Sequence, residues 1–369
     1  MNLGRNVIKI LLFSVNLVVA GLFLLTLLAA HISPDKMLLP SYLALILPLT
    51  ILGNIAFVVF WAVFRNWFFL LSLFSLIIGI EAVQVALPLN YKAQKMSDIE
   101  ATEGFSFITY NTQANHMMAN HTAKKPNPVI QYALDRFPDV LCIQEFSACV
   151  AEEHMTREDL DAIFSVYPYK HVYYHTDSPW SAFGVATFSK FPIIDKGILD
   201  LKSIYNTTIF TDIQINDSAV LRVYNCHLES NKLTESDKMM ATRLREQFDT
   251  EALTGTTVHL SRKLGAAFRI RAGQADIVRS HIDQSPYPVI VAGDFNDVPF
   301  SYTYTRIRGD LNDIFQEKGF GFDYTFNESF FRFRIDQVFY DPRIELTAFK
   351  MENDQKGSDH FPLYCKFKY

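Results

Sequence analysis

Three long apolar runs, residues 10–30, 42–64 and 67–89, open this 369-residue chain and set its first quarter apart from an ordinary globular core. Each has roughly the 20 residues a helix needs to cross a bilayer interior. The first run is interrupted only by Ser14, Asn16 and Thr26, with Arg5 and Lys9 ahead of it and Ala29-Ala30 at its end. That is the layout of a secretory signal, but the apolar part exceeds the ~7–15 residues of a signal core and two more runs follow, so an uncleaved anchor is expected. Only Arg65-Asn66 separates the second and third runs, which predicts a tight helical hairpin with Trp61, Phe64 and Trp67 at an interface. The expectation is three transmembrane helices within an anchor of residues 1–97, a multi-pass integral membrane chain whose first partner is the lipid bilayer. Arg5 and Lys9 before the first span favour a cytoplasmic N-terminus. Three crossings then place everything after residue 89 on the non-cytoplasmic side. Glu81, inside the third run, is either a functional intramembrane carboxylate or a residue near an interface or neighbouring helix.

The apolar excess is local. Residues 1–97 hold six Lys/Arg against Asp35 and Glu81, leaving 28 basic and 37 acidic residues, a net charge of −9, for residues 98–369. Such an acidic region is a poor electrostatic clamp for duplex DNA, although a bound cation reverses the field locally. The four cysteines show no CxxC or CxxH spacing, which argues against a zinc site.

Residues 90–104 are polar and aperiodic and read as a linker. Beyond them, residues 105–111 alternate like a half-buried strand, Asn127-Pro128 opens a helix, and residues 140–143 form a short apolar strand. Further strands are predicted at 183–189, 209–215, 220–226, 289–292, 335–340 and 363–367, and helices at 235–248, 268–282 and 302–317. Many strands and few helices indicate an α/β sandwich in which strand ends carry the polar residues. Polar residues do cluster there: Asn111; Gln144-Glu145; Asn225-Cys226-His227; Gly293-Asp294-Phe295-Asn296; Arg334-Ile335-Asp336; Ser358-Asp359-His360. Asp, Glu and Asn without Cys favour a hard cation, Mg²⁺ or Mn²⁺. A cation to neutralise phosphoryl charge, an aligned water, and a His oriented by a carboxylate are the parts a phosphodiester hydrolase needs.

At these residues the chain resembles the endonuclease/exonuclease/phosphatase superfamily, which includes pancreatic-type deoxyribonucleases, abasic-site endonucleases, inositol-polyphosphate 5-phosphatases and neutral sphingomyelinases. The likeness runs from about Phe105 to Tyr369, with the blocks in the family's order. It implies a catalytic domain at 98–369 folded as a four-layered αββα sandwich of two mixed sheets. It also implies that Asn111, Glu145 and Asp359 hold the metal, that Asp294 aligns or activates the attacking water, and that Asn296 grips a phosphate oxygen. His227 would contact the phosphate and assist the leaving group, while His360, oriented by Asp336, would be the general base or an electrostatic stabiliser.

Departures bear on substrate. Gln113 stands where abasic-site endonucleases carry an acid, Asn-Cys-His-Leu is similar to the deoxyribonuclease and sphingomyelinase branches, and Gln337 replaces an aromatic residue. Residues 230–271 are a long insertion carrying Arg243, Arg245, Arg262, Lys263, Arg269 and Arg271 beside Met239, Met240, Leu260, Leu264 and Phe268. It is either a substrate-side cover able to touch lipid headgroups or a plain surface insertion. Lys190, Arg243 and Arg271 are candidates to line a substrate groove but are expected first on solvated faces, and Arg334 is either a phosphate contact or a surface ion-pair partner. The function expected first is a membrane-anchored, Mg²⁺-dependent phosphoesterase acting on lipid-linked or other membrane-proximal phosphodiesters. A nuclease acting on nucleic acid comes second, and an inactive membrane scaffold a distant third.

Overall fold

The computed structural model describes residues 2–90, 96–114, 119–122, 124–149, 154–204, 206–232, 234, 236–237, 250–328 and 331–369. The helix expected at 235–248, with Met239, Met240, Arg243 and Arg245, lies almost wholly outside them.

The apolar quarter forms α1 (Asn2–Thr26), α2 (Leu39–Ala44), α3 (Leu47–Val63), α4 (Phe69–Ile78) and α5 (Ile80–Ala86). Three straight spans do not form. Among the described residues one helix, Asn6–Ala30 with its 3₁₀ end, is long and apolar enough to cross a membrane; counting the bent pair α4–α5 as one span makes two. The second run breaks at Leu45-Ile46 because Pro48 has no N–H to give, and its ring would meet the carbonyl of Ala44. The third bends by 77° at Gly79. A Cβ there would lie 2.5 Å from Phe23 and 2.9 Å from Leu27, so the glycine lets the chain press against α1. With three crossings gone, the count that placed the remaining chain outside the cytoplasm no longer holds.

These helices also pack onto the following domain. Phe23, Leu47, Ile51 and Val85 share one buried cluster with Tyr224, Val291, Phe295 and Phe339. Glu81 pairs with Arg308 at 3.3 Å in an exposed position, so it faces a neighbouring element of the chain. The predicted linker is part of this junction: Asn90 N–H reaches the Gly319 carbonyl at 3.1 Å, and α6 (Met96–Glu100) buries Ile99.

The rest is the expected α/β sandwich, with two six-stranded mixed sheets. In chain order its elements are β1 (Phe105–Asn111), α7 (Pro128–Arg136), β2 (Val140–Cys149), α8 (Arg157–Ile163), β3 (Tyr169–Asp177), β4 (Ser181–Ser189), β5 (Ile193–Leu199), β6 (Thr207–Asn216), β7 (Ala219–His227), α9 (Thr250–Asp283), β8 (Val289–Asp294), α10 (Tyr302–Arg308), β9 (Asn312–Asp313), α11 (Ile314–Lys318), β10 (Phe326–Glu328), β11 (Phe331–Phe333), β12 (Asp336–Tyr340), β13 (Glu345–Met351) and β14 (Leu363–Lys368). One sheet runs β13-β14-β1-β2-β4-β3 and the other β5-β6-β7-β8-β12-β9, while β10 and β11 form a separate hairpin. Each large sheet has one parallel pair, β1–β2 and β7–β8. The helix expected over 302–317 is interrupted at Gly309, whose φ of +49° ends α10 and turns the chain into β9.

Between the sheets lies an apolar layer that includes Phe107, Cys142, Val223, Ile290, Val338 and Phe367. Near the catalytic end a polar link crosses it. Asn225 of β7 accepts from Gln144 Nε2 at 2.7 Å and donates to the carbonyls of Ala186 (2.9 Å) and Ile143 (3.2 Å) in the opposite sheet. Asn225 and Gln144 are both fully buried. Asn225→Ala strands these partners in a dry interior and is expected to cost roughly 3 kcal/mol. The check is a lower urea midpoint at an unchanged denaturant slope.

Candidate active site

The site sits where the central strands of both sheets end. Parallel pairing puts His227, the last residue of β7, in register with Asp294, the last of β8, and antiparallel pairing puts Asp336 of β12 on the other side of Asp294. Three functional side chains therefore leave one row of one sheet. Gly293 makes the row possible: at φ +133° its missing Cβ would lie 2.0 Å from the Cys226 carbonyl oxygen. From the facing sheet come Asn111 and Glu145. β2 does not stop at Ile143; it continues to Cys149 through a bulge between Gln144 and Phe146. Glu145 occupies that bulge at φ +55°, which turns its carboxylate out of the pleat and into the cavity.

Asp294 is the hub. It is buried and accepts the Asn296 backbone N–H at 2.8 Å, the Asn296 amide at 3.0 Å and the Asn111 amide at 3.0 Å across the sheets. Burial, reinforced by Asp336, pushes its carboxyl up to about 7 against the opposing pull of His360 and these donors. His360 Nδ1 lies 2.8 Å from Asp336 Oδ2, and its Nε2 lies 3.9 Å from Asp294 and 4.0 Å from Asp359. Burial disfavours the imidazolium, but Asp336, Asp294 and Asp359 outweigh it and push His360 up to about 10. His227 is the converse case. Burial and repulsion from His360 push it down to about 4, so it is neutral near pH 7, with Nε2 at 3.8 Å from Glu145 and Nδ1 without a hydrogen-bond partner among the described residues. Two neighbouring imidazoles thus favour different charges.

The expected site residues all converge, but they divide unevenly as metal ligands. Asn111 turns its amide nitrogen to Asp294 and, at 3.3 Å, to Glu145, while its oxygen accepts the Gln113 N–H. It acts as a clamp between carboxylates, with one lone pair on that oxygen still free. Glu145 and Asp359 line the cavity, and burial raises the Asp359 carboxyl, with Glu145 adding to the effect. Their ion-pair partners among the described residues are imidazoles, not Lys or Arg. Converging hard oxygens with too little positive charge fit a divalent cation. Asp294, Asp336 and His360 also lie close enough, with ligand atoms within 4.8 Å, to hold a metal ion. There, however, the Asp336–His360 hydrogen bond and a charged imidazole compete with ligation.

Several supporting residues were not legible as such. Thr325 Oγ1 accepts the N–H groups of Ile335 and Asp336, both at 3.0 Å, fixing the carboxylate that faces His360. Ser358 donates to the Asn111 carbonyl at 2.8 Å and accepts the His360 N–H at 3.1 Å, so it ties the last block to β1. Arg271 is not on a solvated face. It is fully buried, donating to the Glu229 carbonyl (2.7 Å), Asn231 (3.0 Å) and Asp297 (3.4 Å), and joins the loops after His227 and Asn296. Arg334 is neither a phosphate contact nor a surface residue; it is buried over the Phe315 ring, 3.5 Å from Asp313. Lys190 caps the Phe137 carbonyl and pairs with Asp139, far along the sheet from this cavity.

Two stretches of the chain match family models. Residues 9–86 match a domain of unknown function, DUF8431. No curated protein matches the chain. Among solved structures, the human Nocturnin catalytic domain with bound sulfate is similar at 15% identity and a TM-score of 0.48, covering 72% of this chain and 94% of that one. A truncated Caenorhabditis elegans TDP2 has 18% identity, a TM-score of 0.47 and coverages of 72% and 97%. A Bacteroides thetaiotaomicron mannosyl-6-phosphatase has 15%, 0.46, and coverages of 72% and 100%. Residues 108–360, more than two thirds of the chain and every residue of the site, match the Endonuclease/Exonuclease/phosphatase family, and the protein belongs to it.

Proposed function

We propose that this protein is a Mg²⁺- or Mn²⁺-dependent phosphoesterase that cleaves a phosphodiester, with residues 1–97 holding the catalytic domain, 98–369, at a membrane. The carrying observation is geometric: His227, Asp294 and Asp336 leave one row of strand ends, and His360 sits over that row with Nδ1 2.8 Å from Asp336 and Nε2 3.9 Å from Asp294. Glu145 and Asp359, with the Asn111 oxygen, would hold the cation, which when bound supplies Lewis-acid neutralisation of phosphoryl charge. Asp294, fixed by three donors, orients the attacking water and takes its proton. With Asp336 on its Nδ1 and with Asp294 and Asp359 near its Nε2, His360 is favoured as the cation and acts as an electrostatic stabiliser rather than the base. Neutral His227 contacts the phosphate oxygens and assists the leaving group, whereas the Asn296 amide gives its two N–H groups to the Leu228 carbonyl and to Asp294, both at 3.0 Å, and so positions Asp294 rather than gripping the phosphate.

Membrane placement is supported by α1, where Val7, Ile8, Ile10, Leu11, Val15, Leu17 and Val18 are each at least half exposed on an apolar helix. Arg5 and Lys9 favour a cytoplasmic N-terminus, and a single crossing by α1 would put the catalytic domain on the other side. The net charge of −9 over residues 98–369 weighs against nucleic acid as the substrate.

The full chain in detergent, given Mg²⁺ or Mn²⁺, should hydrolyse a bis-aryl phosphodiester and lose turnover when EDTA is added. Turnover that persists in EDTA would refute metal dependence. Faster cleavage of single- or double-stranded DNA than of any lipid phosphodiester would favour the nuclease instead.

A further inference from the structure

The catalytic cavity, about 340 Å³, has two unlike walls. One carries Glu145, Asp294, Asn296, Asp359 and His360. The other is apolar and is built by parts of the chain outside the sandwich. Leu260, Leu264 and Phe268 recur every four residues along α9 and so share one helix face. Leu45 comes from the break between α2 and α3, and it packs with Val298 and Phe333 in a cluster that also holds Ala29 and Ala44. The N-terminal helices therefore contribute a residue to the active-site wall.

Their seat on α9 is specific. Tyr42 donates to the Ser261 carbonyl at 2.5 Å and meets the Phe268 ring edge-on at 5.5 Å. Gly265 lies directly beneath: a Cβ on it would be 2.6 Å from the Tyr42 hydroxyl and 3.0 Å from Leu38.

Building on the phosphoesterase reading above, we infer that this wall binds the alkyl chain of a membrane lipid phosphoester whose phosphate lies against the polar wall. The two walls belong to one cavity, so a single ligand touching both must be amphiphilic. The basic residues lining the cavity do not offer a track for a polyanion. Arg271 is buried and committed to Glu229, Asn231 and Asp297, and Lys232 is paired with Glu229 at 2.5 Å. The exposed apolar face of α1 belongs to the same N-terminal set of helices that supplies Leu45 from the break between α2 and α3, so bilayer attachment and chain binding use one part of the chain.

The test compares p-nitrophenyl dodecyl phosphate with p-nitrophenyl methyl phosphate, using the full chain in phosphatidylcholine nanodiscs with Mg²⁺ or Mn²⁺. In both probes water adds to phosphorus, the P–O(aryl) bond breaks, and p-nitrophenolate leaves with dodecyl or methyl phosphate as the other product. Each methylene removed from water is worth about fourfold in affinity, so seating only a few should give a dodecyl-to-methyl kcat/KM ratio of at least ~10. Leu264→Asp, which places a charge on the wall, and Gly265→Leu, which lifts the N-terminal segment off α9, should each bring that ratio close to one. Titration calorimetry with dodecyl and methyl phosphate should show the same contrast in affinity and its loss in both variants, independently of turnover. A wild-type ratio near one, or a preference that survives both substitutions because the probe simply partitions into lipid, overturns the inference. Absence of turnover with either probe and either metal would instead refute the phosphoesterase reading, and the calorimetric contrast would still decide the chain site.

Discussion

Asp294→Ala should lower kcat/KM for a phosphodiester by at least ~100-fold, the scale of one lost proton-transfer or charge-positioning group. Asp294→Asn should be nearly as damaging despite its matching shape. Two of the groups facing this carboxylate are the amide nitrogens of Asn111 and Asn296, each 3.0 Å away, and a third is the Asn296 backbone N–H. An amide at position 294 would turn either its own N–H₂ toward these donors or its single carbonyl toward only some of them. Stability should respond differently. The folded-state pKa of Asp294 is raised to about 7, so the folded chain gains a proton relative to the unfolded one between about pH 4 and 7. Stability from that group is therefore complete at acid pH and falls as pH rises through 7, where the ionised carboxylate sits buried. The activity loss in Asp294→Ala should accordingly appear without a matching drop in melting temperature at pH 8. A variant that retains a tenth or more of wild-type kcat/KM would remove Asp294 from the centre of the chemistry.

How far the sequence could be read depended on whether a feature is local. Short apolar runs that end in Asp, Asn or His are local, so the strand ends carrying Asn111, His227, Asp294 and Asp336 were visible, and the sandwich followed from them. Strands β3 and β5 were not visible. They lie at opposite sheet edges with mixed exposure, as in Tyr169–Asp177, so their alternation is weak. The bulge at Glu145 was hidden because Ser147 and Ala148 continue β2 only through pairing with β4. Span counting failed for a related reason. Hydropathy measures apolar length, whereas the break before Pro48 and the bend at Gly79 depend on ring geometry and on the contact of Gly79 with Phe23. Arg271 was misjudged because a long helix full of arginines looks solvated until the carbonyl and side chains that receive one of them are placed beside it.

The pair His360–Asp336 supplies the second large effect and separates a group that touches substrate from one that acts through it. His360→Ala should cost ~100-fold or more in kcat/KM. Asp336 lies within 2.8 Å of the far nitrogen of that ring, and its backbone N–H is held by Thr325, so it supports the charged imidazole rather than meeting the phosphate. Asp336→Asn should therefore cost less than His360→Ala, and the double variant should be no slower than His360→Ala alone. The pH profile adds a signature that loss of packing would not produce. Asp336, Asp294 and Asp359 together raise His360 to about 10 against burial. Removing the Asp336 charge lowers the ring's hold on its proton, so the alkaline limb of kcat/KM should move to lower pH in Asp336→Asn. Multiplicative losses in the double variant, with no movement of that limb, would mean that Asp336 acts independently of His360.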